Sequence, residues 1–352
     1  MNIIFFGSTS DSVIVLEKLL CYSTMKQCNN VTISCVVTQP PTPIGRKQVI
    51  TPTSVEVYAK SHDIPVLSFQ NNTEKHWCYQ NEEDVINSIS TFKPDLLISA
   101  SYGQKISSHI MKEAQFGGLN VHPSLLPRWR GADPIPWTIL SGDRQTGVTI
   151  VTLSEKFDQG RIIAQKKITA NDNDFSDPLR SKLFTMGAGL LIESLPDYLS
   201  GENKGSEQKL ENGSVARKLI RDDGFIPWNI IQSAMENSTT IEQCNNETML
   251  AYLKKQTVVI PQNLLINTWI LRMIRALSLW PGVWTLINPT NPTNLPAGKA
   301  GLQIRQMKKR VKILQAHVEN GKLILDSVQL EGKKPIKWKQ FKNSYLLSLR
   351  GT

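Results

Sequence analysis

The feature that most restricts the fold is an alternation, in the first half of the chain, between short apolar runs and stretches with helical spacing. Residues 2–6 (Asn-Ile-Ile-Phe-Phe) are an apolar run too short for a helix, and residues 13–20 carry apolar side chains at helical spacing behind a Ser/Thr/Asp cluster. Residues 31–37 and 64–68 read as strands, residues 82–90 as a helix, and residues 95–99 (Asp-Leu-Leu-Ile-Ser) as a buried strand. Strands that alternate with helices are joined by crossovers, and crossovers build a largely parallel sheet. Ligands of such sheets bind just past the carboxyl ends of the strands. The expected fold class is therefore α/β, with a Rossmann-like, mostly parallel N-terminal sheet and its chemistry in the loops that follow the strands.

The pattern changes after a helical stretch at residues 183–199. Residues 200–214 are rich in Gly, Ser, Asn, Lys and Glu, which suits a linker. A basic helical segment at 272–279 is broken by Trp280-Pro281-Gly282, and short alternating segments follow at 302–304, 311–317 and 322–330. Asn320-Gly321 and Glu331-Gly332 separate or end these runs, and Asn-Gly between two alternating runs is a strong hairpin signal. A small antiparallel, OB-like β-barrel is expected there. The boundaries that follow are a domain at 1–200, a linker at 201–216 and a second domain at 217–352; residues 288–294 (Asn-Pro-Thr-Asn-Pro-Thr-Asn) form a low-complexity loop.

The net charge of +10 is unevenly placed. Residues 269–352 hold 15 basic and 3 acidic residues, while the rest of the chain holds 25 and 27. Such an excess favours a polyanion, because neutralising phosphates is what a basic patch does most readily. Lys308-Lys309-Arg310 and Lys333-Lys334 are its densest clusters, suited to phosphate contact and salt-dependent affinity rather than to reading bases. Five cysteines without a Cys-x-x-Cys spacing argue against a disulfide framework or a zinc site and fit a reducing compartment. His62, His76, His109 and His317 show no ligand spacing, so no metal is expected. The chain has neither an apolar run of the roughly 18 residues a membrane helix needs nor a basic, apolar leader. A cytoplasmic location without membrane contact is expected.

The densest chemical signal lies between Gly118 and Gly160. In Gly118-Leu119-Asn120-Val121-His122-Pro123, strand geometry puts Asn120 and His122 on one face, and Pro123 holds His122 extended. A carboxamide beside an imidazole can hold an oxyanion as a carbonyl becomes tetrahedral, and Asp158, in Phe157-Asp158-Gln159-Gly160, could orient the imidazole. Taken as spacing alone, a turn asparagine and a half-buried histidine are as readily structural.

The longer segment Asn120-Val121-His122-Pro123-Ser124-Leu125-Leu126-Pro127-Arg128-Trp129-Arg130-Gly131 resembles the signature of the methionyl-tRNA formyltransferases, within the folate-dependent formyltransferase family. Gly142-Asp143, Thr146-Gly147-Val148-Thr149-Ile150 and Asp158-Gln159-Gly160 extend the likeness in order. The resemblance implies that Asn120, His122 and Asp158 are catalytic. It also implies that Ser124, Leu125, Leu126 and Pro127 line the site of 10-formyltetrahydrofolate, the formyl donor, and that Tyr102, Gly103 and Ile106 border its pterin. Arg46 and Lys47 fall in a loop that meets the tRNA acceptor end. The implied acceptor is methionine carried on initiator tRNA, with no DNA partner and a monomeric enzyme. Residues 229–268 stand as an insertion where the second domain begins, and Lys105 replaces a residue that is often apolar in the family. Three other readings remain open on the sequence: an amino sugar nucleotide as acceptor, hydrolysis of the formyl folate, and a tRNA-binding module that has lost catalysis.

Overall fold

The computed structural model describes residues 1–24, 31–45, 47–236, 239–241, 243, 263–278, 280–287 and 308–346. The chain divides into two compact units, one of Met1–Ile135, Arg144–Ala170 and Pro178–Arg217, the other of Pro136–Asp143, Asn171–Asp177 and Lys218–Thr352.

The strands of the first unit are, in chain order, β1 (Asn2–Gly7), β2 (Thr32–Thr38), β3 (Thr42–Ile44), β4 (Val49–Thr51), β5 (Val66–Ser68), β6 (Leu96–Ala100), β7 (Gly118–His122), β8 (Arg130–Gly131), β9 (Gln145–Thr152), β10 (Ile162–Thr169) and β11 (Val215–Ala216). Seven of them make the main sheet in the order β10-β9-β7-β6-β1-β2-β5. The pairs β5–β2, β2–β1, β1–β6 and β6–β7 are parallel, and β7–β9 and β9–β10 are antiparallel. The expected mostly parallel α/β sheet is thus present, with two antiparallel strands added at one edge. A central parallel strand is covered on both faces, which explains why β1 reads as an unbroken apolar run: Ile3, Ile4, Phe5 and Phe6 have no solvent exposure. Burying each such side chain contributes on the order of 1.5–3 kcal/mol.

The loops at the carboxyl ends of these strands are held by short polar residues. Thr9 caps the helix Ser10–Ser23 in a capping box with Ser12. The Ser12 hydroxyl also donates to the carbonyl of Ala100 at 2.6 Å, joining the ends of β1 and β6. Ser8 Oγ donates to the Tyr102 carbonyl at 3.1 Å and accepts from the Gln39 amide at 3.2 Å. The helix Glu82–Ser90 falls where periodicity places it, behind an Asn81 cap and with three acidic residues in its first turn. The long helix Ser176–Ser200 begins earlier than its apolar repeat suggests, because Pro178 suits a helix's first turn.

In the second unit β12 (Val283–Ile287), β13 (Lys309–Glu319), β14 (Lys322–Leu330) and β15 (Ile336–Lys337) form an antiparallel sheet in sequence order. Asn320 and Gly321, at φ of 49° and 76°, make the tight β13–β14 turn that the Asn-Gly pair foretells. The helices Trp228–Glu236, Ile266–Ala276 and Trp338–Tyr345 belong to the same unit, and Trp269, Ile313, Val328 and Phe341 are among its buried side chains. The segment at 302–304, the loop at 288–294 and most of the expected insertion, residues 237–238, 242 and 244–262, lie outside the described residues.

Candidate active site

Strand β7 ends in the pair Asn120 and His122, and the structure draws both onto one carboxylate. Asn120 Nδ2 donates to Asp158 Oδ1 at 3.2 Å, and His122 Nδ1 lies 3.4 Å from the same oxygen. The two side chains therefore share a face, as period-two geometry requires. The His122 ring is buried, and its Nε2 lies 2.8 Å from the carbonyl of Trp129. A carbonyl only accepts, so Nε2 carries the hydrogen in that bond. Asn120 uses one amide hydrogen on Asp158, and among the described residues nothing engages its second, which leaves it to a bound group.

Asp158 is fixed by the chain around it. Its backbone is left-handed, at φ of 56°, a conformation Asp tolerates better than most residues. Its Oδ2 accepts from the Gly131 amide at 2.7 Å, so its two oxygens face different partners. Gln208 Nε2 donates to the carbonyls of both Asp158 and Gly160, each at 2.8 Å. Gly160 is required for closeness: a Cβ there would sit 1.9 Å from the Thr152 carbonyl oxygen. Gln208 lies in the stretch read as a linker, yet that stretch is bonded along the first unit. Ser206 pairs with Ile162, Asn203 Nδ2 donates to the Ile163 carbonyl at 3.1 Å, and β11 pairs in parallel with β8.

The segment Ser124–Pro127 follows β7 directly. Ser124 is buried, and its hydroxyl donates to the Arg128 carbonyl at 2.7 Å, so its oxygen is engaged in closing the turn. Thr149 Oγ1 donates to the Ser124 carbonyl at 2.7 Å and accepts from the Leu126 amide at 3.1 Å; Gln165 Nε2 reaches the Leu126 carbonyl at 2.8 Å. Leu126 is buried, Leu125 and Pro127 are half-buried, and the Leu126–Pro127 peptide is cis. Trp129 is buried at φ of 59°, with the Arg128 guanidinium 4.4 Å above its ring. Past β6, the side chains of Tyr102 and Ile106 belong to the core, while Gly103 between them is exposed at φ of 87°. The Tyr102 and Tyr79 hydroxyls are 2.9 Å apart, and burial pushes both phenols up, so both stay protonated at neutral pH.

The basic clusters come together at one end of the β12–β15 sheet. Lys309 and Arg310 open β13, and the Arg310 carbonyl accepts from the Glu331 amide at 2.9 Å, immediately before Lys333 and Lys334. Lys308, Lys309, Lys333 and Lys334 are exposed, whereas the Arg310 guanidinium lies 4.4 Å over the Trp284 ring and so also packs. Lys47 is exposed in the turn of the β3–β4 hairpin, beside the exposed Ile44, Val49 and Ile50; Arg46 lies outside the described residues.

Residues 1–195 match the formyl transferase family, and residues 267–346 match the formyl transferase C-terminal domain. The chain belongs to the formyl transferase family. Among curated proteins, it is 36 % identical to the methionyl-tRNA formyltransferase of Halalkalibacterium halodurans, over 65 % of this chain and 67 % of that protein. It is likewise 36 % identical to the methionyl-tRNA formyltransferase of Chloroflexus aggregans, over 68 % and 72 %. A sugar N-formyltransferase from Shewanella sp. FDAARGOS_354 has a similar fold, with a TM-score of 0.52 at 16 % identity, over 82 % of this chain and 93 % of that one.

Sequence reasoning missed two partners of Asp158. The Gly131 amide and the Gln208 carboxamide both hold Asp158, 27 and 50 residues away along the chain. The only local signal was Gly131 itself, and nothing near Gln208 distinguishes it from a surface glutamine.

Proposed function

We infer that this formyl transferase moves the formyl group of 10-formyltetrahydrofolate to the amino group of methionine on initiator tRNA. One observation carries the site assignment: Asn120 and His122, at the end of a central strand, converge on a single carboxylate oxygen of Asp158. The names of the curated relatives support the acceptor. A carboxamide donor, an imidazole and a carboxylate suit a formyl donor, since its carbonyl oxygen gains negative charge and its nitrogen must leave protonated.

The amine attacks the formyl carbon and forms the new C–N bond. The second amide hydrogen of Asn120 meets the developing oxyanion, and His122, with Nε2 bonded to the Trp129 carbonyl and Nδ1 beside Asp158, holds that carboxylate in place. One such donor is worth roughly 2.7–4 kcal/mol. Asp158 orients both side chains and, through a water, passes the amine proton to the folate nitrogen as the old C–N bond breaks. Ser124 takes no nucleophilic part, because its hydroxyl is buried and bonded to backbone. Lys308, Lys309, Lys333 and Lys334, with Lys47 and Arg46, supply attraction for the phosphates of the acceptor RNA. The enzyme acts as a cytoplasmic monomer.

The test is transfer of labelled formyl from 10-formyltetrahydrofolate with methionyl initiator tRNA, methionyl elongator tRNA and an amino sugar nucleotide offered separately. Label on the initiator tRNA, with little on the other two, is the expected result. Free formate with every acceptor would establish a hydrolase instead, and label on the sugar alone would move the acceptor to a small molecule.

A further inference from the structure

The loop between β9 and β10 carries Asp158 in a left-handed backbone, and contacts on either side set where its carboxylate lies. Downstream and at the side chain, the hold is Gln208 and the Gly131 amide. Upstream, three residues before Asp158, it is Glu155. One Glu155 oxygen is ion-paired with Lys105 Nζ, and the other accepts from the Ser108 amide at 3.0 Å. The segment that receives Glu155 is itself anchored. The Lys105 amide donates to the Trp77 carbonyl at 2.6 Å, Ser107 Oγ to Glu82 Oε1 at 2.7 Å, and the Tyr102 carbonyl accepts from Ser8. Lys105, Ser107, Ser108, His109 and Glu155 line one cleft of about 310 Å³.

We propose that Lys105 and Glu155 form a latch that positions Asp158 by tying its loop to the segment after β6. Lys105 and Glu155 are positioning residues, since they act through Asp158; the inference rests on the formyl-transfer reading above. Exposure argues for this role over a purely structural one. The side chains of Lys105 and Glu155 are 28 % and 55 % exposed, and ion pairs so open to water add little to stability. A pair so placed does little for the fold as a whole, but it joins the segment after β6 to the loop that carries Asp158. The Lys105 hydrogen bond and the Ser108 amide hold the Glu155 carboxyl below the usual carboxylate range, so the latch is charged at neutral pH.

The test compares the full chain with Lys105→Met, Glu155→Ala, the double variant and Lys105→Arg. It reads kcat, the KM for 10-formyltetrahydrofolate, the melting temperature and tRNA affinity. An ion pair this exposed ties the loop only weakly, so its loss should lower kcat about threefold to fivefold in each single variant, while Lys105→Arg stays within about twofold. The double variant should be no worse than Glu155→Ala alone, because that change already removes the tie to Lys105 together with the one to the Ser108 amide. Melting temperature and tRNA affinity should not move. Full kcat in both single variants, a rate loss that tracks the melting temperature, or additive losses would overturn the latch. A wild-type chain that transfers no formyl would instead sink the underlying reading, so the two failures are told apart.

Discussion

Asp158 divides its carboxylate between two tasks. Oδ1 gathers Asn120 and His122, and Oδ2 is held by the Gly131 amide. Gly131 is irreplaceable on two counts: its φ is 111°, and a Cβ would lie 2.7 Å from the Ala216 carbonyl oxygen. Gly131→Ala should lower stability by about 1–3 kcal/mol through backbone strain and should lower kcat beyond that by displacing the amide from Asp158. Thermal melting and steady-state transfer on one preparation check both parts; a variant with wild-type kcat would show that the Gly131 bond does not set the carboxylate. At this scale the sequence revealed side chains but few partners. Asn120 and His122 were legible because a strand's period of two and Pro123 fix their directions locally. The commitments of Ser124 to the Arg128 carbonyl and of His122 to the Trp129 carbonyl were not, because the path of the turn decides them.

Among elements, those with strong local signals were legible. The helix Glu82–Ser90 is announced by Asn81 and its acidic first turn, and the β13–β14 hairpin by Asn320-Gly321. The stretch after Ser200 shows the opposite case. Its polar composition resembles a linker, yet Asn203, Ser206 and Gln208 bond it to the first unit through pairings that composition cannot express. The register of the β12–β15 sheet brings Lys308 and Lys309 to the same end as Lys333 and Lys334, as a two-residue turn at Asn320-Gly321 dictates. Changing these four lysines to alanine should weaken tRNA binding and reduce its salt slope by about 1 for each phosphate that is no longer neutralised, with kcat at saturating tRNA unchanged. Titrations at several salt concentrations give the slope, and an unaltered slope would remove this sheet end from the interface. Arg310 is left out of that set because its stacking on Trp284 would mix the effect of packing with that of charge.

For the molecule as a whole, the charge census and the fold point to a division of labour. The first unit holds Asn120, His122 and Asp158, while the basic excess lies at residues 269–352 and so in the second unit. The α/β class followed from strand–helix alternation, and the antiparallel sheet from alternating runs and turns. The direct test of this division is single-turnover transfer of formyl to methionyl initiator tRNA by Asn120→Ala, His122→Ala and Asp158→Asn, with tRNA affinity measured on the same samples. Asn120→Ala, which removes the oxyanion donor, should slow the chemical step about 100- to 1,000-fold, and the other two changes should slow it as well, while tRNA affinity remains that of the unaltered chain. Transfer at the unaltered rate in all three variants would contradict the assignment of these residues to the chemistry.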